Sequence, residues 1–156
     1  MTNPSVRAAV VACVLTGLVG AGLAAGEKPR QVELLPLESG FGAVVSTDRP
    51  VYRVGGPIRI TFEVFNRTPT PVRFDFASAQ RFDLVIEDAR GQEVWRWSAG
   101  RLFAMVMGQE TLGPERRRLV YEAELTERLA PGRYRIKGVL ADNARHLSAS
   151  VEIEVQ

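Results

Sequence analysis

The 156-residue sequence holds one cysteine and one histidine. Together they cannot fill a four-ligand zinc site, and a single thiol closes no disulfide within the chain. A Cys–His nucleophile pair is disfavoured too, because Cys13 lies in an apolar leader. Charge of one sign is also missing. Twenty basic and 18 acidic side chains leave a net charge of +2, too weak a field to argue for nucleic acid. No window carries a convincing helical period of apolar residues. The length fits one domain comfortably. With so little catalytic hardware, the composition favours a binding protein over an enzyme, and neither cofactor nor metal is expected.

The first residues read as a leader. Arg7 is the only charged residue before Glu27, and between them Ala8–Ala25 forms eighteen uncharged, mostly small and apolar positions. A cationic start, an apolar stretch and small residues at its end describe an export signal, with the cut expected after Ala24. Removing residues 1–24 takes away Arg7 and leaves 19 basic groups against 18 acidic. The expected location is therefore periplasmic or secreted. Two alternatives stand beside it. An uncleaved segment would just span a bilayer and hold the domain outside. Val10-Val11-Ala12-Cys13 resembles a lipoprotein box, but its apolar lead-in is short. Membrane contact is expected only if the segment stays uncleaved or is lipidated. Residues 25–40 are polar and proline-containing, and read as a tether with an early strand near Val32–Leu35.

From Phe41 to the C-terminus, apolar residues alternate with polar ones at period two. Ile58, Ile60, Phe62 and Val64 form one such series; Val72, Phe74 and Phe76 another; Phe82, Leu84 and Ile86 a third. Leu119, Tyr121 and Ala123 follow, then Tyr134 and Ile136, then Leu147 through Val155 at every second position. Each series puts its apolar set on one strand face. Arg49-Pro50, Gly55-Gly56-Pro57, Asn66–Pro71, Arg90-Gly91, Ala99-Gly100, Gly113-Pro114 and Pro131-Gly132 supply turn chemistry between them. The pattern predicts residues 41–156 to be an all-β domain, an immunoglobulin-like antiparallel β-sandwich of seven to eight strands, with a closed barrel as the alternative. Such a domain buries enough apolar surface to fold without cross-links.

Candidate chemistry is sparse. His146 has no partner cysteine or histidine for a metal, and no G-x-S-x-G elbow supports a triad of Ser98 or Ser148 with His146 and Asp142. Asp75, Asp83, Glu87, Asp88, Glu122 and Glu124 occupy the polar phase of strands, where a solvated sheet face is the default and a glycosidase pair is not expected. Arg116-Arg117-Arg118 opens a strand and reads as a charged edge. Asn66-Arg67-Thr68 matches a glycosylation sequon but reads as a hairpin turn. The segment that stands apart is Val94–Met107, VWRWSAGRLFAMVM. Trp95 and Trp97 share one strand face and are expected to act as core pillars, while Arg96 points away. After the Ser98-Ala99-Gly100 turn, Arg101 precedes six apolar residues. They form either a strand buried on both sides or an apolar segment offered to a partner. A substrate-like segment held extended by rigid flanks suits a protease inhibitor, because pre-organisation lowers the entropic cost of binding.

The stretch Phe82–Gly108, FDLVIEDARGQEVWRWSAGRLFAMVMG, resembles the bacterial intracellular proteinase inhibitor family, the BsuPI-type domain. The matching features are a strand of F-D-L-V-I-x-D type, a short glycine turn, and aromatic-R-W-S-x-G-x-x-F. The resemblance runs from about Val45 to Val155, where Leu129-Ala130-Pro131-Gly132-Arg133-Tyr134 fits the closing P-G-x-Y strand start. It implies an immunoglobulin-like domain that inhibits serine proteases. Two features depart from the pattern: an export signal on a family named intracellular, and Gly113-Pro114-Glu115 where P-G-E is expected. No family motif marks the inhibitory contact.

The resulting expectation is an exported sandwich that binds a protein partner, a serine protease, without chemistry of its own and without a small-molecule substrate. Arg101, Leu102, Phe103, Ala104 and Met105 are the candidate contact residues. Trp95, Trp97, Ser98 and Gly100 are their structural support. Leu102, Phe103 or Met105 would suit an apolar specificity pocket, and Arg101 a trypsin-like one. The alternative is a cell-envelope interaction module of the same fold that inhibits nothing.

Overall fold

The computed structural model describes residues 40–156. The leader, its Cys13 and the strand expected near Val32–Leu35 lie outside the described residues. Ten strands follow one another with no helix among the described residues: β1 Phe41–Thr47, β2 Val51–Tyr52, β3 Ile58–Asn66, β4 Val72–Phe76, β5 Phe82–Asp88, β6 Glu93–Arg96, β7 Gly108–Leu112, β8 Arg118–Leu125, β9 Gly132–Leu140 and β10 Ser148–Val155. They form a three-stranded sheet β1-β3-β8, a five-stranded sheet β2-β10-β9-β5-β6 and a two-stranded ribbon β4-β7. Pairing is antiparallel throughout except between β2 and β10. The sheets are open, so the barrel alternative falls and the all-β sandwich stands.

The alternation in the sequence becomes the core directly. Ile58, Ile60, Phe62 and Val64 of β3 are buried, as are Leu84 and Ile86 of β5 and Tyr134, Ile136 and Leu140 of β9. The strand count exceeds the expected seven to eight because two strands carry too few apolar residues to show a period. β2 is two residues long, and β7, Gly-Gln-Glu-Thr-Leu, buries only Leu112. On β9 the inward series passes through Gly138. A Cβ there would stand 2.5 Å from Phe62 Cδ2 and 2.7 Å from a Val45 methyl. The absent side chain therefore lets the two sheets approach at their centre.

The Asn66–Pro71 segment is not a hairpin turn. β3 pairs with β1 and β8, whereas β4 pairs with β7, so the chain crosses between sheets here. Asn66 is completely buried. Its amide donates to the carbonyls of Thr70 at 2.8 Å and Leu112 at 3.0 Å. Its oxygen accepts from the Thr68 N–H at 3.0 Å and the Thr68 hydroxyl at 2.7 Å. The arginine run opens β8, an edge strand of the three-stranded sheet. Arg116 pairs with Glu110 and Arg118 with Glu63, and Arg117 donates to the Arg67 carbonyl.

At the β2 edge of the five-stranded sheet, the Tyr52 hydroxyl donates to Asp48 at 2.5 Å and accepts from the Arg49 N–H at 3.1 Å. Burial, followed by the bond to Asp48, pushes the Tyr52 phenol up to about 12 from its ordinary 10.0. Partial burial opposes ionisation of Asp48, but the hydrogen bond from Tyr52 and those from backbone amides outweigh it and hold the carboxyl below 3.8. The signs give two windows. Tyr52 contributes stability that is full below pH 10.0 and lost as pH rises through about 12, because ionisation is easier in the unfolded chain. Asp48 contributes stability that is present above its unfolded pKa of 3.8 and lost as pH falls through its lower folded value. Melting temperatures of the wild type and Tyr52→Phe should converge at both ends of the pH range and differ most between them. A constant difference across pH would refute the coupling.

Candidate functional site

The segment following β5 is organised by one carboxylate. Asp83 sits on β5 with its side chain 13% exposed. It accepts hydrogen bonds from the Leu84 N–H at 2.9 Å, the Ser98 N–H at 3.1 Å, the Ser98 hydroxyl at 2.7 Å and the Arg96 guanidinium at 2.8 Å. Arg96 in turn binds Glu93 through two nitrogens, which holds the Glu93 carboxyl below its ordinary value. These charge-assisted bonds fix the end of β6 and the turn after it to the five-stranded sheet. The Trp97 N–H extends the β5–β6 pairing past β6 by donating to the Leu84 carbonyl at 2.9 Å. The chain then turns sharply. Ala99 and Arg101 N–H groups reach back to Arg96 and Ser98 carbonyls, and Gly100 supplies the left-handed conformation with φ +72°.

The turn leaves Trp97 as a shelf. Its indole stacks on Phe82 at 4.3 Å, and Phe82 stacks on Tyr121 at 4.6 Å. The shelf is thereby rooted in the interior next to Phe62. Trp95 and Trp97 both pack against the core, but each is only half-buried. They line its margin rather than stand as pillars within it, because β6 is an edge strand. The outer part of the Trp97 indole carries the next segment. The Arg101 guanidinium lies 4.4 Å from the ring centroid, and its Nε donates to the Trp97 carbonyl at 2.7 Å. The Phe103 ring meets the same indole at 5.8 Å. Ala104 is tied from another side, its carbonyl accepting from the Ala79 N–H at 2.8 Å.

Between β6 and β7 the chain is an irregular loop, not a buried strand. Leu102 is fully exposed, Met105 is 84% exposed and Met107 85%, and Val106 is exposed as well. Of the five residues singled out for contact, Arg101, Leu102, Ala104 and Met105 are exposed and Phe103 is half-buried against Trp97. Four adjoining apolar or sulfur-bearing side chains thus stand in water on a backbone secured at several points. Exposed apolar side chains grouped in this way are uncommon on a monomer's surface away from interaction sites.

Asp83 and Ala79 are the residues that sequence reasoning missed here. Asp83 was legible only as the acid of the F-D-L-V-I strand, and its phase suggested solvent. The β5–β6 hairpin brings Ser98 over it instead. The other candidates disperse. His146 is exposed with φ +48°. Asp142 gives its oxygens to the backbone N–H groups of Asp75, Ala144 and Arg145, and Ser98 is engaged with Asp83, so the triad through Ser98 does not assemble. Asp75 and Glu124 pair with Arg73 and Arg59, while Asp88 caps the turn at Arg90 and Gln92. Among the described residues no group of three or more potential metal ligands occurs.

Residues 45–145 match the BsuPI family, intracellular proteinase inhibitor. That finding corrects the expected location: it points to the cytoplasm rather than to a periplasmic, secreted or outward-facing anchored domain. No curated protein matches the chain. Among solved structures, the CARDB domain of a Pyrococcus furiosus protein, in complex with di-metal ions, is 15% identical over 74% of this chain and 87% of that one, with a TM-score of 0.43. The sporulation control protein Spo0M from Bacillus subtilis is 14% identical over 75% of this chain and 49% of its own, with a TM-score of 0.45. The C-terminal domain of wzt is 11% identical over 73% and 70%, with a TM-score of 0.46.

Proposed function

Because the chain belongs to the BsuPI family, the intracellular proteinase inhibitors, we propose that it inhibits an endoprotease of the serine class by binding it through the loop from Arg101 to Met107. The family match supports a role without catalysis by the domain itself. The observation that carries the assignment to this loop is the exposure of Leu102, Met105 and Met107 on a segment whose neighbours are tied to Trp97 and Ala79. An apolar segment held in place in advance loses little conformational freedom on docking, and its side chains fill pockets that a flexible peptide fills less well. Proteases read extended substrate in this way, so the loop would enter the cleft where substrate lies.

The purified domain, assayed against subtilisin-like, chymotrypsin-like and trypsin-like enzymes, should inhibit at least one class at micromolar concentration or below. In the double variant Leu102→Asp, Met105→Asp, inhibition should weaken by roughly 100-fold or more, the effect expected for charging a central contact. The melting temperature should stay unchanged, since both side chains stand in solvent. Undiminished inhibition by this variant would move the contact elsewhere on the domain. No inhibition of any class by the wild type would remove the reading for those classes.

A further inference from the structure

We propose that the loop acts as a substrate-like inhibitor cut reversibly at the Leu102–Phe103 bond, with Trp97 as the clamp that keeps both sides of the cut in place. This deepens the inhibitor reading and rests on it. The residues on either side of Leu102 grip the same indole: the Arg101 guanidinium at 4.4 Å and the Phe103 ring at 5.8 Å. Leu102 projects between them, fully exposed. Arg101 is secured again by its Nε bond to the Trp97 carbonyl, and the chain beyond Phe103 by the bond from Ala79 to Ala104. An apolar specificity pocket would therefore receive Leu102, presenting its carbonyl to the nucleophile. Met105, Val106 and Met107 are exposed too, but among the described residues no ring or cation–π contact flanks them on both sides. A cut there would free two ends, as in an ordinary substrate.

The chemistry balances without any further reagent. The protease serine Oγ attacks the Leu102 carbonyl carbon, the Leu102–Phe103 bond breaks, and the serine proton passes through the enzyme's base to the Phe103 amine. In ordinary turnover the amine diffuses away and water takes its place, giving a Leu102 carboxylate. Here Phe103 stays packed against Trp97, so its amine remains beside the acyl group at high effective concentration and re-forms the peptide bond faster than water hydrolyses the ester. Trp97 itself is held by Phe82 behind it and by the Asp83–Ser98 bonds below it.

The test uses the full chain and serine proteases that differ in pocket chemistry. The wild type should inhibit an apolar-pocket enzyme. Leu102→Lys, a change at a fully exposed side chain, should lose about 100-fold or more against that enzyme and gain inhibition of a trypsin-like one, in the manner of a pocket-filling contact. Prolonged incubation with the protease should yield one nick, after residue 102, and the same intact-to-nicked ratio whether the starting protein is intact or nicked. Trp97→Ala, or Phe103→Ala should the first fail to fold, should be cleaved to completion and cease to inhibit. If the wild type inhibits but Leu102→Lys leaves the specificity unchanged, or the nick falls elsewhere, this mechanism is wrong while the inhibitor reading survives. If the wild type inhibits nothing, the reading beneath it fails.

Discussion

Replacing Gly138 with alanine should destabilise the domain by about 2–3 kcal/mol, the upper part of the range for overpacking a filled core. The added methyl would lie 2.5 Å from Phe62 Cδ2 and 2.7 Å from Val45 Cγ2, well inside contact distance. Neither neighbour has room to yield. Phe62 is fully buried and its ring stacks on Tyr121 at 6.1 Å, while Val45 is 1% exposed. Relief therefore requires the two sheets to move apart, which loosens contacts on both sides of the seam. Unlike the glycines of the turns, Gly138 has no positive φ, so the cost is purely steric. Urea denaturation of wild type and Gly138→Ala measures it directly. A change below about 0.5 kcal/mol, the scale of a neutral surface substitution, would mean that the sheets are not in contact here. The companion variant Phe62→Leu should recover part of the loss in Gly138→Ala, because it removes ring atoms from the point of collision.

Asn66→Ala should cost about 2–4 kcal/mol, since each buried partner left unpaired costs roughly 1–3 kcal/mol. The amide satisfies the carbonyls of Thr70 and Leu112, and the Thr68 N–H and hydroxyl bind its oxygen. The Leu112 carbonyl is the most exacting of these, because its bond to the amide is buried, whereas that of Thr70 is only partly so. Asn66→Asp separates the two halves of the arrangement. A carboxylate can still accept from Thr68 but donates nothing to Thr70 or Leu112, and it brings a charge to a completely buried position. It should therefore be at least as damaging as alanine despite its similar shape. Equal stability of Asn66→Asp and wild type would show that the donor bonds contribute nothing. The burial of Asn66 also removes the sequon from use, since its amide nitrogen is enclosed by the bonds just described.

These two positions show what the sequence made legible and where it stopped. Period-two alternation found the strands of Phe62, Phe74, Leu84 and Ile136, because a half-buried strand must put every second side chain inside. The same rule could not find β7, which buries one side chain, or see why the inward phase of β9 contains a glycine. That glycine answers to Phe62, 76 positions earlier in the chain. Asn66 read as turn chemistry, yet local composition is the same whether a chain reverses within one sheet or crosses to another. The candidate site was legible as a composition anomaly around Trp97. Its exposure was not, because an uninterrupted apolar run describes a buried strand equally well. What decides between them is Asp83, whose hydrogen bonds to Ser98 and Arg96 end the strand and turn the chain outward. The expectation of export failed for another reason: it rested on the leader alone, whereas the location is indicated by the family of the domain.

The loop also has a mechanical position. It leaves β6, at the border of the five-stranded sheet, and enters β7, which belongs to the two-stranded ribbon. It therefore ties the five-stranded sheet to the ribbon. A partner that holds the loop in its folded form thereby favours the folded arrangement of the two elements it connects. Occupancy of the loop is thus linked to the folding equilibrium: a ligand at 100 times its dissociation constant adds about 2.7 kcal/mol to the stability of the domain. A complex formed through the loop would resist unfolding for as long as the loop stays engaged.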